Sequence, residues 1–260
     1  MREQMASIEY RDWKLDIAYE YENRGKVCVV CLHGLQSNKA AFVDVVDRSL
    51  RKGLSTLSLD FVGFGKSSKP EDFSYKIEDQ AAIVSMILRD FRLEQFFLVG
   101  HSIGGMVGTM LLKEFREKLL GFVNMEGNFV LVDCGASLPA SEASFEEFST
   151  KLYPQLKKSL ETSQEPSARL RRQWLDSTAD YAFYGASKSI VEWSRSEQLI
   201  PMYLESPARR LFVYGEQNRR KRDVLPPSEA SAEIPNAGHF MLADNPEETA
   251  NAIEKFLDRR

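Results

Sequence analysis

A G-x-S-x-G segment limits the folds open to this 260-residue chain more than any other part of its sequence. The segment Gly100-His101-Ser102-Ile103-Gly104 directly follows the apolar run 96–99 and leads into a helix-like stretch at 106–115. A glycine at each end permits a turn too tight for a Cβ atom and forces the central residue into a strained backbone conformation. The segment therefore predicts a strand, a sharp turn and a helix, with the Ser102 hydroxyl exposed at the strand end.

A simpler reading of the same five residues is a glycine-rich loop with an ordinary helix-capping serine. Short motifs of this length also recur by chance. The functional reading of Ser102 therefore depends on the rest of the chain.

Short apolar runs alternate with helix-like segments along most of the sequence. The runs, of the kind found in strands buried on both faces, are Val27–Leu32, Leu57–Phe61, Phe96–Val99 and Gly121–Met125, and the helical patterns lie at 38–52, 76–92 and 104–118. A further strand is predicted at Arg210–Tyr214. This alternation predicts an α/β fold with a mostly parallel, doubly wound sheet. Residues 7–20 predict an antiparallel strand pair at its edge, and a short strand near Ala230–Ile234 and a helix at Pro246–Leu257 close the chain.

The rhythm of strand and helix breaks between residues 128 and 206. This stretch contains helix-like segments with scattered aromatic residues and no convincing strand pattern. It predicts a helical cap at 128–206, inserted into a sheet domain made of residues 1–127 and 207–260.

Composition narrows the classes of function. The net charge of −4 argues against a general nucleic-acid-binding protein, and the basic run 219–222 is interpreted as a solvated loop. The charged amino terminus is not followed by a long apolar run, so neither a signal peptide nor a membrane span is predicted, and a cytoplasmic location is expected.

Three cysteines fit a reducing compartment. Cys28 and Cys31 form a C-x-x-C pair, but they lie within an apolar run in which residues three apart point to opposite faces of a strand. No second pair of ligands accompanies them, so we expect core residues and no metal site.

Four motifs appear in a fixed order after successive predicted strands. They are His33-Gly34 after the third strand, Asp60-x-x-Gly63-x-Gly65-x-Ser67 after the fourth, the G-x-S-x-G segment after the fifth, and Asn236-Ala237-Gly238-His239-Phe240 after the last. In this order the chain resembles the α/β-hydrolases, specifically the capped branch that includes small-molecule esterases, carbon–carbon bond hydrolases and haloalkane dehalogenases. The resemblance covers nearly the whole chain except the cap.

The resemblance implies a role for four of the five residues that we expect in the site. Ser102 would be the nucleophile and His239, between Gly238 and the closing helix, its base. The backbone N–H groups of Leu35 and Ile103 would form the oxyanion hole.

The acid that orients the histidine departs from the common pattern. In most relatives it lies three residues beyond the glycine that ends the strand after the cap, and here that position holds Asn218, an amide without a charge. Glu216 is nearby but out of phase, and whether Asn218 or Glu216 has any role stays open. Glu126 lies just past the sixth strand and 24 positions after Ser102, the spacing found in a subset of haloalkane dehalogenases and related luciferases. We therefore predict Glu126 as the acid, with a structural salt bridge as the alternative.

The nucleophile separates this chain from the dehalogenases, which use an aspartate. A serine suits attack on an acyl carbon, so the sequence predicts a serine hydrolase that needs no cofactor or metal. Its expected partner is a small, uncharged and largely apolar ester or related acyl substrate, with no nucleic acid or membrane partner and an undetermined oligomeric state. Two alternatives remain: a carbon–carbon bond hydrolase of the meta-cleavage type, and a non-catalytic ligand-binding protein with this fold.

Overall fold

An eight-stranded sheet forms the centre of the molecule. The computed structural model describes residues 2–165 and 167–258. The strands are β1 (Glu3–Tyr10), β2 (Trp13–Glu22), β3 (Val27–Leu32), β4 (Ser55–Leu59), β5 (Gln95–His101), β6 (Leu119–Met125), β7 (Arg209–Gly215) and β8 (Ser231–Ile234). Their order in the sheet is β1-β2-β4-β3-β5-β6-β7-β8.

The sheet confirms the predicted fold class. The pairings from β3 to β8 are parallel, and β2 pairs antiparallel with both β1 and β4. The predicted strand pair at the edge is the hairpin β1–β2, in which Tyr10 pairs with Trp13 across a turn where Arg11 has a φ of +53°. The apolar runs become strands with helices on both sides, so two apolar layers are buried.

The two cysteines of the C-x-x-C pair illustrate these layers. Cys28 packs into the apolar cluster on one face of the sheet and Cys31 into the cluster on the other face. Both are buried and free, as is Cys134. Burial raises the pKa of the Cys31 thiol to about 12, so this side chain stays protonated and apolar. The structure supports the expectation that the pair belongs to the core.

Helices surround the sheet and fill the insertion. They are α1 (Val43–Arg51), α2 (Ile77–Asp90), α3 (Ile103–Leu111), α4 (Ser137–Glu142), α5 (Phe145–Glu147), α6 (Tyr153–Thr162), α7 (Ala168–Asp176), α8 (Asp180–Ser196), α9 (Leu199–Leu204), α10 (Met241–Asp244) and α11 (Pro246–Asp258). Segments of 3-10 or π helix are Lys39–Phe42, Leu131–Cys134, Phe148–Leu152 and Glu216–Val224. In the part of the chain that the structure describes, no helix combines the length and apolar character that crossing a membrane requires.

One predicted helix is shorter than expected. The pattern at 104–118 predicts a continuous helix, but α3 ends at Leu111 and residues 112–118 form turns that lead into β6. Leu112 and Phe115 keep the helical spacing of apolar residues because both are buried in the core. Their burial, rather than continued helix, explains the periodicity.

The segment between β6 and β7 lies against the carboxyl ends of the strands. Its described residues form helices and turns without a strand, as the sequence predicts. Hydrogen bonds tie it to the sheet domain: the Ala179 amide donates to the Gly63 carbonyl at 3.1 Å, and the Tyr181 hydroxyl donates to the Lys69 carbonyl at 2.7 Å. The division into a core at 1–127 and 207–260 and a cap at 128–206 stays a prediction.

Candidate active site

Ser102 occupies the sharp turn between β5 and α3. Its φ of +53° and ψ of −118° lie outside the regions that L-residues ordinarily adopt. A Cβ on Gly100 would lie 2.3 Å from the Gly104 carbonyl oxygen, and one on Gly104 would lie 2.0 Å from the Leu32 carbonyl oxygen. Both glycines are therefore required for a turn that holds Ser102 in a strained conformation at the strand end.

Two backbone amides beside Ser102 are available to a ligand. In the described part of the chain, neither the Leu35 nor the Ile103 N–H has a hydrogen-bond partner. The loop carrying Leu35 lies against the turn, because a Cβ on Gly34 would be 3.3 Å from the Cβ of Ser102. Buried amides are seldom unpaired, so two such donors beside one hydroxyl suit an oxyanion.

Glu126 directly follows β6 and is completely buried. Its Oε1 accepts hydrogen bonds from the Gly215 amide at 2.9 Å and from Asn218 Nδ2 at 3.1 Å. Its Oε2 accepts from His239 Nδ1 at 2.8 Å and from Asn218 Nδ2 at 3.0 Å, and lies 3.0 Å from Lys221 Nζ. The carboxylate therefore has donors on both oxygens, which offsets the free-energy cost of its burial.

The charged form of Glu126 is the stable one in this setting. Burial raises its pKa, but the hydrogen bond from His239, the charges of His239 and Lys221, and the Gly215 amide together outweigh burial and lower the pKa to about 2. Glu126 is therefore ionised across the physiological pH range.

His239 lies in the loop between β8 and α10, and its imidazole is 27% exposed. Its Nδ1 donates to Glu126, so Nε2 carries the free lone pair when the ring is neutral. Burial and the nearby charge of Lys221 lower its pKa, although Glu126 opposes this change. A neutral imidazole with a free Nε2 is the form that can accept a proton.

Ser102 and His239 border the same cavity but are not hydrogen-bonded to each other. Among the described residues, Ser102 Oγ has one hydrogen-bond partner, Asn128 Oδ1, at 3.5 Å. The structure thus joins His239 to Glu126 directly and brings Ser102 to the same cavity. Hydrogen bonds of this kind are often long in proteins without substrate and shorten when the reacting group binds.

His101 supports His239 in a way that the sequence did not indicate. Its Nε2 lies 2.8 Å from the His239 carbonyl oxygen, which can only accept, so Nε2 carries the proton. Burial lowers the pKa of His101 to about 3, with the neighbouring His239 adding to the decrease, and the ring is neutral. His33 is likewise buried: its Nδ1 donates to the Gly34 carbonyl and its Nε2 accepts from the Phe61 amide.

The interpretation of residues 219–222 as a solvated loop is wrong for Lys221. The side chain of Lys221 is 15% exposed and contacts the buried Glu126 carboxylate. Its neighbour Arg219 behaves as expected, since it forms an exposed pair with Glu233. The sequence signal was ambiguous because one inward-pointing lysine within a charge run leaves the composition of the run unchanged.

Asn218 and Glu216 have different roles in the structure. The Asn218 side-chain amide donates to both oxygens of Glu126, so this residue supports the carboxylate. Glu216 instead accepts from the Asn236 amide at 2.9 Å and faces Arg219. It points away from the imidazole, as its phase along the chain predicts.

A cavity of about 350 Å³ opens between the strand ends and the insertion. Its walls include Ser102, His239 and Leu35 from the sheet domain. The other lining residues are Gln36, Asn128, Val132, Asp133, Cys134, Gly135, Ala136, Ser137, Leu156, Arg171, Asn218, Lys221 and Phe240. Two cationic side chains and several amides lie among them, so the cavity is lined by charged and polar as well as apolar groups. Within the described residues, no group of three or more His, Cys, Asp or Glu side chains could hold a metal ion.

Both the sequence and the fold of this chain are similar to those of known proteins. Residues 27–174 match the family model described as alpha/beta hydrolase fold. The chain is 23% identical over 248 residues to 2-(acetamidomethylene)succinate hydrolase of Mesorhizobium japonicum, covering 87% of this chain and 86% of that protein. It is 36% identical over 94 residues to the uncharacterized hydrolase YugF of Bacillus subtilis, a match that covers 36% of this chain and 34% of that protein.

The fold is shared with solved esterase structures. A thermophilic esterase from Thermogutta terrifontis superimposes with a TM-score of 0.78 at 18% identity, covering 99% of this chain and 98% of that one. An esterase from Exiguobacterium antarcticum gives a TM-score of 0.75 at 17% identity, covering 94% and 96% of the two chains. At such identities the likeness concerns the fold.

Proposed function

Because this chain belongs to the α/β hydrolase fold family, we propose that it is a serine hydrolase that cleaves a carboxylic ester or related acyl bond through an acyl-enzyme on Ser102. The observation that carries the proposal is the 2.8 Å hydrogen bond from His239 Nδ1 to the buried Glu126 carboxylate. It leaves His239 Nε2 free beside a cavity that a strained serine also borders. A nucleophile, a base and a group that orients the base are the parts that serine catalysis requires.

In the first half of the reaction, Ser102 Oγ attacks the acyl carbon while His239 Nε2 takes the hydroxyl proton. The carbonyl oxygen becomes an oxyanion and accepts hydrogen bonds from the Leu35 and Ile103 amides, which have no other partner among the described residues. When the tetrahedral intermediate collapses, the bond to the leaving oxygen breaks and His239 Nε2 returns the proton to it. The products are an alcohol and an ester on Ser102.

In the second half, water takes the place of the alcohol. His239 Nε2 removes a proton from the water as its oxygen attacks the acyl carbon, and the acid leaves when Ser102 is reprotonated. In both halves the Glu126 carboxylate accepts the hydrogen bond from His239 Nδ1–H and stabilises the imidazolium that forms, while the proton stays on Nδ1. The chemistry therefore uses side chains and amides of this chain alone.

Lys221 changes the electrostatics of this arrangement. Its ammonium lies beside the same carboxylate oxygen that accepts from His239, so it stabilises ionised Glu126 while opposing the imidazolium. Asn218 supplies a neutral donor to both oxygens at the same time. Burial, together with the charge of Lys221, lowers the pKa of His239, so His239 stays neutral and able to act as a base to a lower pH than an unperturbed histidine.

A fluorophosphonate probe tests the proposal, because it modifies activated serines. The purified protein is labelled and the modified peptide is mapped by mass spectrometry, alongside Ser102→Ala and Glu126→Gln. Ser137→Ala is the matched control, since Ser137 is a second serine that lines the cavity. We expect labelling of Ser102 that persists in Ser137→Ala, disappears in Ser102→Ala and slows strongly in Glu126→Gln.

Other results would contradict the proposal or separate it from its alternatives. A folded wild-type protein that is not labelled, or is labelled at Ser137 instead, would contradict the proposal and favour a non-catalytic ligand-binding protein. Turnover of p-nitrophenyl esters by wild-type protein that has not been treated with the probe would favour ester cleavage over carbon–carbon bond cleavage.

A further inference from the structure

Arg171 is a cap residue whose charge reaches the active-site cavity. It lies on α7, its side chain is 14% exposed, and it lines the cavity together with Ser102 and His239. Its guanidinium carbon is 3.9 Å from the ring centroid of Phe240, the residue that follows His239. A cation held on an aromatic face in this way has a defined position beside the proposed base.

Most hydrogen-bond donors of Arg171 are unused. Among the described residues, only Nη1 has a partner, Glu165 Oε2 at 2.8 Å, and Glu165 is 64% exposed. Nε is buried without a partner, and Nη2 has none either. The Nε–Nη2 edge is therefore free, and it is one of the edges through which a guanidinium donates two parallel hydrogen bonds to a carboxylate.

Among the described residues, no carboxylate around the cavity accepts a hydrogen bond from Nε or Nη2 of Arg171. Glu126 is committed to His239, Asn218 and Lys221. Asp133 accepts from two backbone amides through Oδ2, and its Oδ1 has no partner among the described residues, so it does not pair with Arg171. Asp244 lies near Arg171 but accepts from the Gly238 amide through Oδ2.

Burial makes the free edge costly without a ligand. Loss of solvation lowers the pKa of Arg171, although the charges of Glu165 and Asp244 oppose this. Unpaired donors in a buried site cost free energy, and an arriving carboxylate would remove that cost. The cavity volume of about 350 Å³ suits a compact ligand.

We propose that Arg171 binds a carboxylate of the substrate, so that the substrates are small esters or related acyl compounds that carry a free carboxylate. The inference rests on the proposed serine hydrolase function. It replaces the uncharged substrate expected from the sequence. Arg171 would act as a specificity-determining residue that holds one end of the substrate while Ser102 attacks the other.

The test compares two esters of nearly equal shape. Mono-p-nitrophenyl adipate carries a free carboxylate, and p-nitrophenyl 6-oxoheptanoate carries a methyl ketone in its place. The quantity measured is the ratio of kcat/KM for the anionic ester to kcat/KM for the neutral ester. We expect the wild-type ratio to be well above one and to fall about 10- to 100-fold in Arg171→Gln, since a hydrogen-bonded charge is lost.

Two further variants separate recognition from folding. Arg171→Lys keeps the charge without the two parallel donors, so its ratio should lie between those of wild type and Arg171→Gln. Arg169→Gln removes an exposed arginine from the same helix and should leave the ratio unchanged. The change in Arg171→Gln should appear mainly in KM for the anionic ester, because the carboxylate is bound equally in the ground and transition states.

The possible failures can be told apart. If both esters are hydrolysed and the ratio in Arg171→Gln stays within about twofold of the wild-type value, the inference is overturned while the proposed function stands. If wild-type protein hydrolyses neither ester and is not labelled at Ser102, the proposed function fails and the inference fails with it.

Discussion

The ends of β6 and β7 lie side by side in the sheet, yet they contribute opposite chemistry to one site. β6 is followed by Glu126, a buried carboxylate that accepts from His239. The segment after β7 holds Asn218, whose amide donates to both oxygens of that carboxylate. The negative charge thus follows β6, and the neutral amide that donates to it follows β7.

Under the proposed function, Glu126 supplies the acid from a different strand end than the common one, and contacts between β6 and β7 hold it in place. The Glu126 amide donates to the Val213 carbonyl at 3.1 Å, so the backbone after β6 is fastened to β7. Gly215 then supplies its own amide to Glu126 Oε1. A carboxylate after β6 is therefore held by donors from the adjacent strand, and an uncharged residue suffices at position 218.

The largest expected effect comes from removing the charge after β6. Glu126→Gln retains an oxygen that can accept from His239 Nδ1 but has no charge to stabilise the imidazolium. We expect kcat for a p-nitrophenyl ester to fall about 10³- to 10⁴-fold, as in triads whose aspartate becomes asparagine. Steady-state kinetics, with far-UV circular dichroism to confirm folding, measures this loss. A loss of less than about tenfold would mean that Glu126 is a structural salt bridge.

A second test moves the negative charge from residue 126, after β6, to residue 218, after β7. In the double variant Glu126→Gln, Asn218→Asp the acid occupies the common position of the family, and we expect kcat to recover about 10- to 100-fold relative to Glu126→Gln. Asn218→Asp alone is the control. It places two carboxylates together, so the single variant should be less active and less stable than wild type. If the double variant is no more active than Glu126→Gln, residue 218 cannot orient His239.

A smaller effect on activity is expected from Lys221, which contacts the Glu126 carboxylate beside Asn218. Lys221→Met removes a positive charge that lowers the pKa of His239, so that pKa should rise. Because kcat/KM requires neutral His239, its acidic limb should move to higher pH. Arg220→Met, an exposed neighbour in the same basic run, should leave the pH profile unchanged. An acidic limb that stays in place in Lys221→Met would show that this ammonium does not act on the imidazole.

The smallest effect is expected at Glu216, the carboxylate after β7 that points away. Glu216→Gln keeps an acceptor for the Asn236 amide and loses only a partly exposed contact with Arg219. We expect kcat to change less than about twofold and the free energy of unfolding to fall by about 0–1 kcal/mol. Kinetics and urea unfolding provide the two numbers. A large drop in kcat would assign Glu216 the role given to Glu126.

Much of the fold could be predicted because buried strands require apolar residues at successive positions, and this pattern is visible in the sequence. Strands covered on both faces have continuous apolar sequences, and the four such runs correspond to β3, β4, β5 and β6. The predicted family and its class, a hydrolase of this fold, are confirmed. The end of α3 was missed because Leu112 and Phe115 are buried whether or not the helix continues.

The site was predictable only where a residue follows a recognisable strand end. Ser102, Glu126 and His239 satisfy that condition, and the structure brings all three to one region. Lys221 and Arg171 do not, since a charge within a polar run or an amphipathic helix gives no sign that it points inward. Their side chains reach the site only because the segment after β7 and the insertion pack onto the sheet.

The hydrogen bond between His239 and Glu126 can be observed directly by proton NMR of protein labelled with ¹⁵N-histidine. We expect a strongly downfield Nδ1 proton that is present in wild type and Asn218→Ala, moves upfield in Glu126→Gln and disappears in His239→Ala. A signal unchanged in Glu126→Gln, or lost in Asn218→Ala with the fold intact, would contradict the assignment of Glu126 as the acid.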